Sequence, residues 1–232
     1  MEFSFQGNIV HYEDEGTGPV VLLLNGVYMN CGSWQALVPQ FVSAHRLIRV
    51  DFLDQGRSEK MSTDYSIDLQ AELVVALLAH LGIDEVALVG TSYGGVVALK
   101  VALAQPDRVR RLVIGNTGAY FSQSFFEFAS ILSGGFDRLA RARPHKSKLF
   151  RSLSQITRSI TDVDERDNLR NVRCPTLVVS TEFDSLTPRH LQWELVRGIP
   201  DATFAVIKGA GHVVVHEKPR EFADLALQFI DN

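Results

Sequence analysis

One segment constrains this chain more than any other. The apolar run Val86 to Val89 passes directly into Gly90-Thr91-Ser92-Tyr93-Gly94-Gly95, and then into a stretch with helical spacing from Val96 to Ala104. A buried strand that turns into a helix within a few residues needs minimal side chains where the two elements cross, and glycines stand two positions either side of Ser92. The pattern predicts a strained turn that pushes the Ser92 hydroxyl clear of the strand, with helix N–H groups and a partial positive charge behind it. Ser92 is therefore a candidate nucleophile. The plainer alternative, a glycine-rich turn with an incidental serine, fits the flanking strand and helix less well.

Other β-branched apolar runs recur along the chain: Val20 to Leu24, Leu47 to Val50, Leu112 to Ile114, Leu177 to Val179 and Phe204 to Ile207. They are continuous rather than alternating, the habit of parallel strands buried on both faces. Phe3 and Phe5, the Gly7-Asn8 turn and Ile9 to Tyr12 predict a hairpin ahead of them. Helical spacing marks Ile67 to Leu81, His190 to Val196 and Phe222 to Ile230. Strand–helix alternation of this kind predicts a mostly parallel, doubly wound α/β sheet of eight strands with helices on both faces. No linker divides the 232 residues, so a single domain spanning 1–232 is expected. One stretch breaks the rhythm: from about 119 to 173 no buried strand is evident. Phe121, Phe125, Phe128 and Leu132 are spaced as one face of a helix, so this insertion is expected to be a small helical cap.

Composition removes several classes of function. A net charge of −4 argues against nucleic acid as a partner. The apolar runs are far short of the ~20 residues that span a bilayer, and the N-terminus has no signal-peptide pattern. Cys31 and Cys174 are too few for a disulfide framework and read as buried thiols of a reducing, cytoplasmic compartment. No H-E-x-x-H or C-x-x-C spacing marks a metal site.

A serine hydroxyl is a weak nucleophile and needs a base that is itself oriented by an acid. Two downstream strands end in titratable residues: Leu177 to Ser180 leads to Asp184, and Phe204 to Ile207 leads through Gly209-Ala210-Gly211 to His212. Both lie just past C-terminal strand ends, where open α/β sheets build their sites. The order serine, aspartate, histidine matches that of the nucleophile-elbow enzymes. Glu182 is an alternative acid, but alternation points it away from the Asp184 side. His11, His45 and His190 read as surface or strand-end residues, His80 as a helix residue, His145 as part of a basic loop and His216 as an exposed residue before a helix start.

These residues together resemble the α/β-hydrolase fold family across essentially every strand. The likeness lies in the elbow, in Glu182-Phe183-Asp184, in Gly209-Ala210-Gly211-His212 with Glu217-Lys218-Pro219 after it, and in two N-terminal stretches. The first runs from Leu22 through Asn25-Gly26 to Ser33-Trp34; the second is Asp51 to Ser58, of the form D-x-x-x-x-G-x-S. The resemblance implies roles by position: Ser92 as nucleophile, His212 as base and then acid, and Asp184 as the group that sets the imidazole tautomer. It also implies an oxyanion-binding loop from Asn25, Gly26 and Val27, with the Val27 and Tyr93 N–H groups as donors, each worth about 3 kcal/mol in a transition state. Many relatives carry His-Gly where this chain has Asn25-Gly26. Asn-Gly there also resembles members that transfer hydroxyacyl groups, and haloalkane dehalogenases, which Ser92 excludes because their nucleophile is a carboxylate.

The expected activity is hydrolysis of an ester or related acyl bond of a small molecule through an acyl-enzyme, with no cofactor. The alternatives are acyl transfer from a carrier-bound or coenzyme A donor, and a non-catalytic ligand sensor. One charge run stands apart. From Asp137 to Arg151 six basic residues face one acid, an excess of five positive charges that leaves −9 for the rest of the chain. It is either a solvated helix face or a funnel for anionic substrates.

Overall fold

The computed structural model describes residues 1–232 except 61–64, 122 and 162, and, beyond these, leaves the side chains of 123–126 and 128 undescribed. Phe125 and Phe128 of the predicted cap stripe therefore lie outside the described side chains.

Eight strands form one sheet: β1 (Glu2–Phe5), β2 (Asn8–Glu15), β3 (Val20–Leu24), β4 (Arg46–Val50), β5 (Val86–Thr91), β6 (Val109–Gly115), β7 (Thr176–Thr181) and β8 (Ala202–Ile207). Their spatial order is β1-β2-β4-β3-β5-β6-β7-β8. The first two run antiparallel to their neighbours, and every pair from β4 to β8 is parallel. Among the described residues, eight α-helices accompany them: α1 (Val38–Phe41), α2 (Ile67–His80), α3 (Tyr93–Ala104), α4 (Gln123–Ala142), α5 (Ser147–Ser159), α6 (Arg189–Gly198), α7 (Val214–Glu217) and α8 (Pro219–Ile230).

Alternation along each buried strand decides which helices it holds. In β3, Leu22 and Leu24 join Leu88, Leu112 and Ile114 in a core packed by α2 and α3. Val21 and Leu23 join Val89, Val113 and Val179 in a second core packed by Trp34, Phe41, Phe222 and Ala226. Both faces are covered, so the strands read as unbroken apolar runs rather than alternating ones. Among the described residues, no helix is long and apolar enough to cross a membrane. Cys31 and Cys174 are buried free thiols.

The stretch between β6 and β7 holds two helices. The stripe starting at Phe121 predicts a helix beginning there, but α4 starts at Gln123 and Phe121 precedes it, buried. After a short 3-10 turn at Pro144–Lys146 the chain returns as α5, and the two helices pack along each other. The base of this hairpin is tied to the domain where Tyr120 bridges Asp164 and the Glu165 N–H donates to the Ala119 carbonyl at 2.8 Å.

The glycines around Ser92 are required by contact. A Cβ on Gly94 would lie 2.1 Å from the Leu24 carbonyl oxygen, and one on Gly90 would lie 2.3 Å from that of Gly94. Both neighbours are backbone and cannot swing aside. Gly94→Ala is therefore expected to cost about 3 kcal/mol or more, roughly 10 °C in Tm. Thermal unfolding followed by circular dichroism checks this, and an unchanged Tm would show that α3 can retreat from β3 at little cost.

Candidate active site

The site begins with the backbone of Ser92, whose φ is 52° and ψ −119°. A non-glycine residue in that region is strained, and the surroundings hold it there. The Ser92 N–H donates to the Gly115 carbonyl at 2.9 Å, and its carbonyl accepts from Thr117 Oγ1 at 2.9 Å and from the Gly95 N–H at 3.0 Å. The next residue, Tyr93, opens α3, so its N–H belongs to the first turn of a helix and has no intrahelical acceptor.

Two loops bring in the other side chains. The His212 Nε2 lies 2.9 Å from Ser92 Oγ, and its Nδ1 lies 3.0 Å from each oxygen of Asp184. A carboxylate only accepts, so the proton sits on Nδ1 and Nε2 offers its lone pair to the serine. The three residues predicted from sequence thus meet within hydrogen-bonding reach. Glu182, the alternative acid, is engaged elsewhere: it accepts from the Gly209 N–H at 2.9 Å.

The acid is the most heavily partnered group here. One oxygen of Asp184 accepts from the N–H groups of Leu186 and Thr187, each at 2.9 Å. The other accepts from Asn116 Nδ2 at 2.7 Å and from the Thr187 hydroxyl. Burial of the carboxylate pushes its pKa up, but donation from His212 and Thr187 outweighs that and holds it below the ordinary aspartate value.

Sequence reasoning misses the residues that support this triad. Asn116 directly follows β6 with φ 49°, fully buried, and its amide spans Asp184, Thr181 Oγ1 and the Gly211 carbonyl. Glu217 accepts from the N–H groups of Gly211 and Val213 at 2.7 and 3.0 Å and so clamps the loop on both sides of His212. In sequence Glu217 is visible only within Glu217-Lys218-Pro219, a helix-start pattern that also carries part of the family likeness, with no role of its own. Nothing local marks Asn116, which meets its partners across 65 to 95 residues of chain.

The loop after β3 is braced by its own buried side chains. The resemblance places Asn25 among the substrate-binding residues, yet its side chain is fully buried and engaged at both ends. Its Nδ2 donates to the Val50 carbonyl at 2.6 Å, and its Oδ1 accepts from Trp34 Nε1 at 2.6 Å. Its amide braces the loop, and the residues around the cavity include Val27 but neither Asn25 nor Gly26. The Asp51–Ser58 stretch braces the same loop, since Asp51 accepts from the Cys31 and Arg57 N–H groups at 2.6 and 2.8 Å.

A cavity of about 240 Å³ opens onto Ser92 and His212. Its wall is mostly apolar, with Val27, Phe121, Ala129, Leu132, Ile160 and Leu186 around the serine. Among the described residues no lysine or arginine lines it. Arg138, Arg141, Arg143, Lys146, Lys148 and Arg151 are instead exposed around the turn joining α4 to α5. Thr157 on the returning helix is about 14 Å of helix axis from Lys148. A wider groove of about 790 Å³ between α2 and α3 has no nucleophile–base pair among its described residues, and its Lys100 is engaged by Asp68 and Glu165.

Tyr28 connects loop and cap. Its backbone is left-handed, with φ 61°, immediately after Val27. Its hydroxyl meets Thr157 Oγ1 on α5, Thr157 in turn donates to the Leu153 carbonyl at 2.7 Å, and its ring packs edge-on against Phe136 of α4. Tyr28→Phe is expected to lower kcat about fivefold while leaving Tm within a few degrees, because it frees the Val27 peptide without opening the core. Steady-state kinetics beside thermal unfolding test this, and equal loss of both would make Tyr28 purely structural.

Comparisons with known proteins agree with this architecture. A model described as the alpha/beta hydrolase family matches residues 21–225. The chain is 27 % identical over 250 residues to RutD of Azorhizobium caulinodans, to which carbamate hydrolysis is provisionally ascribed, covering 95 % of this chain and 94 % of that one. It is 29 % identical over 262 residues to the 2-hydroxy-6-oxononadienedioate/2-hydroxy-6-oxononatrienedioate hydrolase of Paraburkholderia phymatum, covering 95 % and 90 %. The crystal structure of MGS-M2, an alpha/beta hydrolase enzyme from a Medee basin deep-sea metagenome library, superposes with a TM-score of 0.91 at 28 % identity, covering 100 % of this chain and 98 % of that one.

Proposed function

Because the chain belongs to the alpha/beta hydrolase family, we propose that it hydrolyses an ester or closely related acyl bond of a small, uncharged, mainly apolar substrate. The observation that carries this reading is His212 bridging the Ser92 hydroxyl at 2.9 Å and the Asp184 carboxylate at 3.0 Å. Ser92 Oγ attacks the acyl carbon as His212 Nε2 takes its proton. The carbonyl oxygen, now an oxyanion, is held by the N–H groups of Val27 and Tyr93. Collapse expels the alcohol, which receives the proton back from His212. Water then repeats the sequence, attacking the acyl-Ser92 ester with His212 as base and releasing the acid.

The apolar wall supports a neutral substrate. The Paraburkholderia phymatum relative is named for a dicarboxylate substrate. Binding such a group here would bury a charge against Val27, Leu132 and Ile160 with no cationic partner among the described lining residues, which costs several kcal/mol. A neutral acyl chain gains about 0.8 kcal/mol per methylene in the same place.

A ladder of p-nitrophenyl esters, assayed with and without a terminal carboxylate on the acyl chain, tests this reading. Neutral medium chains are expected to exceed acetate in kcat/KM by about tenfold or more, and the ω-carboxylated esters to fall below their neutral counterparts by at least that factor. Fluorophosphonate labelling with mass spectrometry reports whether Ser92 is the group acylated. No labelling at Ser92 would end the acyl-enzyme reading. Acyl products on added alcohols or thiols, in preference to free acid, would replace hydrolysis by transfer.

A further inference from the structure

The cap carries a surface that the proposed chemistry does not use. Around the turn from α4 to α5, Arg138, Arg141, Arg143, Lys146, Lys148 and Arg151 are all exposed, and none has an ion-pair partner among the described residues. The one acid of the stretch, Asp137, is taken by Arg158. Exposed apolar side chains sit among these cations: Leu139 beside Arg138 and Leu149 beside Lys148, at 37 % and 40 % exposure, with Ile131 a further two turns back along α4 at 77 %. A solvated helix face would be expected to mix charges and to keep leucine and isoleucine inward; this one does neither.

We infer that the α4–α5 turn docks the protein on an anionic lipid surface. Cations alone would serve any polyanion, but cations interleaved with protruding aliphatic side chains match a bilayer, where headgroup phosphates meet the former and the upper acyl region takes the latter. The rest of the chain carries −9, so the same bilayer repels the remainder of the molecule and favours contact through this turn. An acidic protein would satisfy the arginines and lysines but leaves Leu139, Leu149 and Ile131 without a counterpart. The inference rests on this surface and stands apart from the hydrolytic reading, although a surface rich in apolar esters is where an apolar cavity would meet its substrate.

Co-sedimentation of the full chain with phosphatidylcholine vesicles, with and without phosphatidylglycerol, tests it. Binding is expected only with the anionic lipid and is expected to fall steeply as salt is raised past about 0.1 M, where the screening length is near 10 Å. The variant Arg138→Gln/Arg141→Gln/Lys146→Gln/Lys148→Gln is expected to lower the partition coefficient at least about 100-fold, and Leu139→Asn/Leu149→Asn about tenfold. All six positions are exposed and away from the cavity, so turnover of a water-soluble short ester should stay unchanged in both variants, which separates this result from any failure of the hydrolytic reading. Failure of the wild-type chain to sediment with anionic vesicles overturns the inference, whether or not it then associates with itself or with an acidic protein. Equal binding to neutral vesicles, or binding that survives loss of the four charges, overturns it too.

Discussion

Ser92→Ala is expected to lower kcat/KM for the best neutral ester by at least about 10⁴-fold while leaving the fold intact. Without Oγ no acyl-enzyme forms, and what persists is the contribution of the oxyanion donors and of binding to direct attack by water. The substitution removes one oxygen from a side chain whose φ of 52° is imposed by neighbours, so the elbow itself should survive. In the proposed chemistry serine and histidine act as one unit, so His212→Ala should cost about as much and the double variant little more than either. Steady-state kinetics on the three variants measure this. Losses that multiply in the double variant would mean that Ser92 and His212 act in separate steps, and the bond between them at 2.9 Å would lose its meaning.

The second large effect belongs to Asp184→Asn, expected at about 10⁴-fold in kcat although the residues are nearly isosteric. An aspartate can only accept, which places the imidazole proton on Nδ1 and the lone pair at Nε2, facing Ser92. An asparagine amide can donate to Nδ1, and the imidazole then turns its N–H toward a hydroxyl that must lose a proton. The same site makes a stability prediction of defined sign. The carboxyl pKa of Asp184 is lower in the folded chain than its ordinary value, because donors outweigh burial. Its ionised form therefore stabilises the fold above the unfolded-chain value of about 3.9, and that contribution fades as pH falls through the folded value. Between about pH 6 and about pH 3 the wild type should lose more unfolding free energy than Asp184→Asn, as denaturant titrations would show. Parallel curves would mean that the donors around Asp184 do no more for the ionised form than water does.

The elbow is legible in the amino-acid order because its requirements are local: a strand, a helix and three glycines within six residues. Strands buried on both faces are legible for the same reason, since Val21 and Leu22 must both be apolar when they face different cores. Asp184 and His212 can be found because each follows a recognisable strand end. The residues that brace them behave differently. Asn116 meets Asp184 across 68 residues and Tyr28 meets Thr157 across 129, and no periodicity or motif marks a polar residue whose partners arrive from elsewhere in the chain. The partners of the Asn25 side chain are hidden for a related reason. Its position in the loop is clear from sequence, but whether its amide faces substrate or protein depends on where Trp34 and the end of β4 come to lie.

The order of residues alone determined the sheet, the turn that strains Ser92 and the chain order of Ser92, Asp184 and His212, because these follow from hydrophobic spacing and steric need over a few neighbours. Only the tertiary structure decided that Asp184 accepts from five donors, that the cavity over Ser92 is apolar, and that the cations of the cap stand at its far turn rather than over the serine. Those are properties of distances between segments remote in sequence, set by how helices and loops pack on the finished sheet.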